Sequence, residues 1–389
     1  MSLRIRVADS PAGTDALAWD ALAAGNPFVS HAYLGALIET GCASARTGWQ
    51  PQFLVLERDG RFAGVMPLFV KSHSRGEYVF DWAWADAYHR HGLEYYPKLL
   101  AAVPFTPVTG PRILAATAQD RTALIRAALE AASEFSSLHV LFPREEEAEA
   151  MRGERMLLRR TVQFHWKNEG YEDFEEFLAR MSHRRRKNIR QERRRVLEAG
   201  VRMRCLRGTE ISPRDWEFFH RCYASTYAAH HSRPYLSLEF FRRIGEALAA
   251  HTVLFLAERR GSPLAASLCV TGPDALYGRY WGALEHVPLL HFEACYYQPI
   301  EFAIANRIAT FEGGAQGEHK LFRGLLPVET TSAHWLAHPR FARAIEDYLA
   351  RETDGIARYV NELNEHSPFK AAAGDGPDPI MSATTGEGS

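Results

Sequence analysis

Residues 53–68 read Phe-Leu-Val-Leu-Glu-Arg-Asp-Gly-Arg-Phe-Ala-Gly-Val-Met-Pro-Leu, and residues 253–268 read Val-Leu-Phe-Leu-Ala-Glu-Arg-Arg-Gly-Ser-Pro-Leu-Ala-Ala-Ser-Leu. In both stretches two apolar runs flank a short polar turn, Asp59-Gly60 or Gly261-Ser262, and this pattern predicts a β-hairpin. Each hairpin follows two predicted helices and precedes a predicted strand, helix and strand. We infer an internal duplication of an α/β unit at a period of about 200 residues, far too long for a solenoid.

The duplication divides the chain into a unit over 1–150, a unit over 151–366 and a tail over 367–389, with the seam near 144–160. The tail is rich in Gly, Pro, Ala, Ser and Thr and is expected to be disordered. After the first hairpin, the sequence predicts strands over 77–84 and 138–142 and helices over 93–103 and 118–136. In the second unit it predicts helices over 174–197, 213–227, 238–249, 292–307 and 339–364.

Composition restricts the classes of partner. The chain has 389 residues, 46% apolar and 24% charged, which is typical of a folded protein in water. Lys and Arg number 46 against 47 Asp and Glu, so any basic site must be local, and DNA is not an expected partner. Five dispersed cysteines favour reduced thiols, and neither a signal peptide nor a long apolar run is present. These features predict a cytoplasmic protein, with peripheral contact to an anionic inner membrane face as a further expectation.

The order of elements resembles the GNAT acyltransferase unit, and two units in tandem resemble the Fem-type transferases. Three segments, residues 72–92, 107–112 and 312–324, resemble signatures of the bacterial FemAB-like family, often described as peptidoglycan biosynthesis/recognition. The resemblance covers about residues 1–365. It implies a tandem GNAT-like α/β fold, with mixed, mostly antiparallel sheets flanked by helices. It also implies an N-acyltransferase that uses either acyl-CoA or aminoacyl-tRNA. Bacterial ceramide synthases, which N-acylate a sphingoid amine, are similar to this family.

One segment departs from the GNAT pattern, and it bears on the identity of the acyl donor. A GNAT unit binds the CoA pyrophosphate on a glycine-rich turn before its central helix, whereas residues 282–292 here read Gly-Ala-Leu-Glu-His-Val-Pro-Leu-Leu-His-Phe. Acyl-CoA is still the expected co-substrate, because a tRNA partner usually needs a broad basic surface and the excess charge here is confined to one helix. An aminoacyl-tRNA donor is the alternative.

Residues 181–196 are the most charged stretch, with eight Lys or Arg between Arg184 and Arg195 against Glu192. Arginine forks match phosphate oxygens, so we predict that these side chains bind an anion. The members assigned to the donor are Arg184, Arg185, Lys187 and Arg190. A CoA phosphate, an RNA backbone or an anionic membrane would each suit them, and an ordinary solvated helix is the alternative.

Residues 312–324 read Glu-Gly-Gly-Ala-Gln-Gly-Glu-His-Lys-Leu-Phe-Arg-Gly. Within six residues Glu318, His319, Lys320 and Arg323 offer a base, an imidazole and two cations, so we predict a catalytic segment. In Fem-type enzymes a lysine of the equivalent segment lies in the active region, which implies this role for Lys320. Arg323 is expected to meet an oxyanion or a phosphate.

The helix predicted over 292–307 supplies two further candidates near its N-terminus, where the dipole favours anions. His291 is expected to bind the donor, and Glu293 or His319 to act as the general base.

Residues 72–92 combine aromatic and polar side chains, which predicts an acceptor pocket. The assigned members are Tyr78, Asp81, Trp82, Trp84, Asp86, Tyr88 and His89. A metal at His89 and His91 is disfavoured, because amide formation of this type needs none and no other ligand set accompanies them.

The sequence thus predicts amide formation by direct transfer from acyl-CoA to a lipid amine or a cell-envelope precursor. No Ser or Cys stands in a setting that would activate a nucleophile, so no covalent intermediate is expected. The alternatives are an aminoacyl-tRNA-dependent transferase that acts on a peptidoglycan precursor or peptide, and a non-catalytic carbohydrate- or peptidoglycan-binding protein.

Overall fold

The computed structural model describes residues 2–229, 231–314 and 317–370. In the first half, the strands are β1 (Leu3–Ala8), β2 (Trp49–Pro51), β3 (Phe53–Arg58), β4 (Arg61–Met66), β5 (Phe69–Lys71), β6 (Lys98–Ala101), β7 (Leu114–Ala115) and β8 (Ser137–Leu141). The α-helices are α1 (Ala16–Ala23), α2 (His31–Glu39), α3 (Trp82–Arg90), α4 (Ala118–Ala132) and α5 (Glu145–Gly153).

In the second half, the strands are β9 (Leu157–Lys167), β10 (Val201–Arg207), β11 (Thr252–Arg259), β12 (Ser262–Thr271), β13 (Ala275–Ala283), β14 (Thr310–Glu312) and β15 (Leu326–Leu336). The helices are α6 (Phe174–Arg180), α7 (His183–Glu198), α8 (Pro213–Ala229), α9 (Leu238–Ala247), α10 (Leu290–Phe292), α11 (Gln298–Ala305) and α12 (Pro339–Glu365). A π-helical turn (Glu293–Tyr297) joins α10 to α11 without a break, and we call the whole element the cavity helix (290–305).

Both predicted hairpins form, and the strand order around them recurs in the two halves. In the described residues the order β1-β3-β4-β7 forms one sheet, and β10-β11-β12-β13 begins another, every pair antiparallel. Each half then adds one parallel pair, β6 with β8 and β13 with β14. The fold is therefore a tandem duplication of a GNAT-like α/β unit.

The halves are joined through β9 and β15. β9 pairs with β14 and with β15, and β15 pairs in turn with β8, all antiparallel. The result is a continuous sheet of eleven strands within the described residues, in the order β10-β11-β12-β13-β14-β9-β15-β8-β6-β5-β2. The seam predicted near 144–160 falls on α5 and the start of β9. The last strand of the second unit thus completes the sheet of the first.

Several local predictions are wrong. The predicted strand over 77–84 contains the start of α3, and the predicted helix over 93–103 contains β6. The basic helix over 174–197 is interrupted after Arg180, where the Ser182 amide donates to the Pro368 carbonyl at 2.9 Å. That contact places Ser367–Lys370 against α6, whereas the sequence predicts disorder there. The rest of the predicted tail, 371–389, lies outside the described residues.

Aromatic side chains bury the contact between the two units. The ring of Tyr33 on α2 meets that of Phe240 on α9 at 5.5 Å, and Phe28 meets Tyr277 of β13 at 5.1 Å, both edge to face. Such pairs contribute beyond the area they bury. No helix in the described ranges combines the length and apolarity that crossing a membrane requires.

Candidate functional site

A cavity of about 280 Å³ lies beside β13 in the second unit. Its walls come from β12, β13, the cavity helix and the segment that follows β14. They comprise Ser267, Gly278, Arg279, Tyr280, Trp281, His291, Cys295, Tyr296, Gly313, His319 and Lys320. Among these described lining residues none has an aliphatic side chain and none is a carboxylate. The cavity therefore presents aromatic rings, imidazoles, hydroxyls and cations to whatever enters it.

Lys320 is the buried cation of the glycine-rich segment. It belongs to a short 3₁₀ helix, which we call the Lys320 turn (Glu318–Arg323), and it is 5% exposed. Its Nζ donates to the Gly314 carbonyl at 3.0 Å, and no carboxylate of the described residues pairs with it. Burial, followed by the Arg279 charge, lowers the pKa of Lys320 to about 8. The ammonium retains hydrogen-bond donors that no described group satisfies.

Two histidines and a tyrosine lie beside this ammonium. The Tyr296 hydroxyl and His319 Nε2 are 3.0 Å apart. Burial raises the pKa of Tyr296, so the phenol keeps its proton, and it donates that proton to Nε2 when His319 is the tautomer protonated at Nδ1. Burial, aided by Arg323 and Lys320, lowers the pKa of His319, and burial followed by His319 lowers the pKa of His291 to about 4. Both imidazoles are neutral at pH 7 and can accept a proton.

Arg279 also lines the cavity and is not among the residues predicted from sequence. Its side chain is 1% exposed and donates to Glu312 at 2.9 Å and to the Gly278 carbonyl at 3.1 Å. The guanidinium carbon lies 5.6 Å from the ring centre of Phe28 in the first unit. The Nε has no hydrogen-bond partner among the described groups. A lone arginine within the aromatic run of β13 was the signal that could have identified it.

The second and third signature segments meet beneath the cavity. The Gln163 amide donates to the Pro107 carbonyl at 2.8 Å, and His165 Nε2 lies 3.1 Å from Gln163 Oε1. Gly313 donates its backbone N–H to the Phe164 carbonyl at 3.2 Å. β9 thus carries contacts to both segments, although they are about 200 residues apart in sequence.

Arg323 holds the Lys320 turn in place. Its guanidinium lies 3.4 Å from the Phe292 ring centre and donates to the His319 carbonyl at 2.8 Å and to Glu192 at 3.0 Å. These groups engage both terminal nitrogens, whereas the buried Nε has no partner among the described groups. Arg323 is not among the residues that line the cavity, and its predicted contact with a phosphate or oxyanion stays a prediction.

Two predicted carboxylates lie away from the cavity. Glu293 accepts from Arg193 at 3.0 Å and from Gln298 at 2.8 Å, and it faces a groove on the α7 side of the cavity helix. Its ion pair with α7 occupies the carboxylate, so the base predicted there is not free. Glu318 is exposed and accepts from the Tyr359 hydroxyl at 2.8 Å. Of the predicted catalytic residues, only His319 and Lys320 line the cavity, together with the predicted donor-binding residue His291.

α7 divides its charges between two faces. Glu192 and Arg193 point inward and are paired as described, whereas Arg184 and Lys187 are exposed and have no carboxylate partner among the described residues. Arg185 stacks 3.8 Å from the ring centre of Phe322 in the Lys320 turn, and Arg190 pairs with Glu175. α7 thus contacts the turn that carries His319 and Lys320 through Arg185.

The aromatic segment over 72–92 does not assemble a pocket with the cavity. Asp81 is buried and pairs with Lys98, and the Trp84 ring packs on His334 at 5.0 Å. The remaining members are spread through the first unit. The Tyr88 ring packs on Phe341 at 4.2 Å, while Trp82, Asp86 and His89 lie on the surface. The Tyr78 hydroxyl donates to the Phe105 carbonyl at 3.2 Å, and this carbonyl also accepts from Tyr280 of the cavity wall at 3.3 Å. Asp81 is buried because its carboxylate pairs with the buried Lys98 ammonium.

Comparison with solved structures supports the fold. The crystal structure of FemX is 11% identical with a TM-score of 0.53, and the match covers 89% of this chain and 100% of that one. The structure of L-PGS from Bacillus licheniformis is 8% identical with a TM-score of 0.54, covering 91% and 99%. A conserved protein of unknown function from Bacteroides thetaiotaomicron is 10% identical with a TM-score of 0.50, covering 86% and 100%.

No curated protein matches the chain. The family model described as peptidoglycan biosynthesis/recognition matches residues 11–371, nearly the whole of the chain. The chain therefore belongs to the FemAB-like family.

Proposed function

We propose that the protein is an N-acyltransferase that forms an amide in the cavity beside β13. The observation that carries the proposal is the convergence of Lys320, His319 and Tyr296 on this cavity. Membership of the FemAB-like family supports transfer of an acyl or aminoacyl group in peptidoglycan or lipid synthesis. A module that only binds sugars needs no neutral imidazole beside a buried ammonium.

The proton of the attacking amine leaves through Tyr296 and His319. As the amine nitrogen bonds to the acyl carbon, the Tyr296 oxygen takes its proton, and the phenolic proton moves to His319 Nε2 along the 3.0 Å hydrogen bond. Collapse of the tetrahedral intermediate expels the donor's thiolate or alkoxide, and the same proton returns to it through Tyr296. The products are the amide and the protonated leaving group. Tyr296 and His319 return to the protonation states in which they started.

Lys320 stabilises the negative oxygen of the intermediate. Its unused N–H donors lie in a site shielded from water, where a donor contributes more than on a surface. The same positive charge lowers the pKa of an acceptor ammonium, so the neutral and nucleophilic amine is favoured.

Cys295 does not serve as a nucleophile in this proposal. Burial raises the pKa of its thiol to about 12, and its nearest hydrogen-bond partner is Ser267 Oγ at 3.8 Å. A thiol this reluctant to ionise is a poor nucleophile at neutral pH. Direct attack of the amine on the donor is therefore the proposed path.

The proposed donor is acyl-CoA, with its phosphates on the exposed Arg184 and Lys187 of α7. An aminoacyl-tRNA is the second candidate. The row of exposed cations on α7 favours it, because the row continues through Arg194 and Arg195 beyond what three CoA phosphates need. The proposed acceptor is an amine of a lipid or of a cell-envelope precursor, and the proposed location is the cytoplasm or its membrane face.

A donor and acceptor screen tests the proposal. Purified protein is offered radiolabelled acyl-CoAs and charged tRNA, each with amine-bearing lipids, peptides and muropeptides. Amide product that depends on His319 and Lys320 supports the proposal. Product formed only from charged tRNA would make aminoacyl-tRNA, in place of acyl-CoA, the donor. Tight binding of muropeptides with no transfer from either donor would favour the non-catalytic alternative.

A further inference from the structure

The cavity holds more positive charge than the protein balances. Arg279 is matched by Glu312, whereas Lys320 has only the Gly314 carbonyl among the described groups. Both side chains are more than nine-tenths buried. A charge removed from water is stable only with a partner of opposite sign or full hydrogen bonding. The described residues around this cavity supply no second carboxylate, so an anion is the group that the site lacks.

Both cations line the same cavity, and the Arg279 charge acts on the Lys320 ammonium. The Nε of Arg279 is buried without a partner in the described part of the chain, and Lys320 uses one of its three N–H groups there. A guanidinium beside an ammonium is the donor set that proteins use for carboxylates. One remaining N–H of Lys320 suffices for the oxyanion of the intermediate, and the other is left for such a ligand.

The lining also excludes other groups. A cationic group would meet Arg279 and Lys320 at short range, and like charges in a buried site repel strongly. The described lining offers a long alkyl chain no aliphatic side chain, although the rings of Tyr280, Trp281 and Tyr296 belong to it.

We infer that one substrate of this cavity carries a carboxylate that Arg279 and Lys320 bind. The inference rests on the proposed function for the reaction itself, and it specifies the substrate class. The carboxylate belongs either to a short dicarboxylic acyl group or to an acceptor that is an amino acid or peptide. Both sources would present the same carboxylate to the cavity, and paired substrates distinguish them.

Binding is measured first, without catalysis. Succinate, succinamide and putrescine are titrated calorimetrically and in thermal unfolding at matched ionic strength. We expect succinate to bind at least tenfold more tightly than succinamide, and putrescine not to bind. Because Arg279→Gln alone would strand the buried Glu312, the variant is Arg279→Gln with Glu312→Gln. It should bind succinate at least tenfold more weakly, as should Lys320→Met. Equal binding of succinate and succinamide, or undiminished succinate binding in both variants, would overturn the inference.

Paired substrates then identify the source. A tenfold higher kcat/KM for succinyl-CoA than for butyryl-CoA assigns the carboxylate to the acyl group. A tenfold preference for Ala-Ala over its C-terminal amide assigns it to the acceptor, and both results support the inference. Transfer at equal rates within both pairs would overturn the inference while the proposed function stands. Selective succinate binding without any transfer would overturn the proposed function and leave the carboxylate site in place.

Discussion

The Nδ1 atoms of His139 and His334 lie 2.7 Å apart across the pair of strands β8 and β15. The two residues are direct partners in the antiparallel register and are fully buried. Ser137 and Ser332 lie 2.8 Å from the Nε2 atoms of the respective rings. One Nδ1 must donate and the other accept, so the two neutral imidazoles have opposite tautomers. This pair therefore ties the last strand of one unit to the sheet of the other.

We expect acid to destabilise the protein. Burial, with the Lys98 charge, lowers the pKa of His139 to about 3, and burial with His139 and Arg159 holds that of His334 far below its usual value, although Asp81 opposes both. In the unfolded chain each histidine binds a proton near pH 6.5. Below that pH the unfolded state binds more protons, so the free energy of unfolding falls by up to about 1.4 kcal/mol per pH unit for each buried histidine.

Urea unfolding at pH 7.5, 6 and 5 measures this slope. Replacing both His139 and His334 by Asn keeps an amide near each Nδ1 position and should flatten the slope. The exposed His89→Asn should leave it unchanged. A slope that is the same in all three proteins would contradict the assignment.

Lys320→Met should lower the rate of amide formation by about 10²–10³. The reason is the loss of the buried donor to the oxyanion. Stability should be unchanged or higher, because the ammonium has no carboxylate partner in the described structure and burying it is costly. Single-turnover kinetics and the Tm measure the two effects, and Lys167→Met on the exposed end of β9 is the matched control. A loss of rate that merely tracks a loss of stability would contradict the role.

Tyr296→Phe should slow transfer and change its pH profile, since the phenol links the amine to His319. General acid–base groups typically contribute about 10²–10⁴ in rate. Tyr359→Phe removes a hydroxyl that donates to the exposed Glu318 and should have little effect. Initial rates between pH 6 and 9 provide the comparison. Equal profiles for both variants would remove Tyr296 from the proton path.

Arg184→Gln with Lys187→Gln should weaken donor binding and reduce its dependence on salt. Both side chains are exposed on α7, so the fold should tolerate the change. Each lost phosphate contact on RNA reduces the slope of log K against log salt by about 0.7–0.9. A wild-type slope of only a few units fits CoA, and a steep one fits tRNA. Arg4→Gln with Arg61→Gln, exposed in the first unit, is the control, and an equal effect there would argue against a site on α7.

The hairpins could be predicted from sequence because their signals are local. The segment over 93–103 could not, because β6 is a strand only through pairing with β5 and β8, which lie elsewhere in the chain. Lys98 shows the difficulty well. Its charge argues against a buried position until Glu77 and Asp81 are known to lie beside it.

The candidate site was predictable only where its signal is local in the sequence. His319 and Lys320 stand in a segment of unusual composition, and they line the cavity. Glu293 stands near the N-terminus of a predicted helix, a position that also suggested a role. Its partner Arg193 is 100 residues away in sequence, so local spacing could not reveal the ion pair that occupies its carboxylate. Arg279 was missed because its neighbours Glu312 and Phe28 come from distant elements.

The addition of β15 to the sheet of the first unit also dictates when that unit can be completed during synthesis. β8 emerges from the ribosome long before β15, the strand that covers one of its edges in the final sheet. At roughly 5–20 residues per second, translation takes on the order of ten seconds or more to supply that strand. During that whole interval, the edge of β8 in the nascent chain is open. An open edge is a template for unwanted strand pairing. The chain is thus expected to rely on chaperones during translation, and a truncated chain that ends at the unit boundary would keep the edge open permanently.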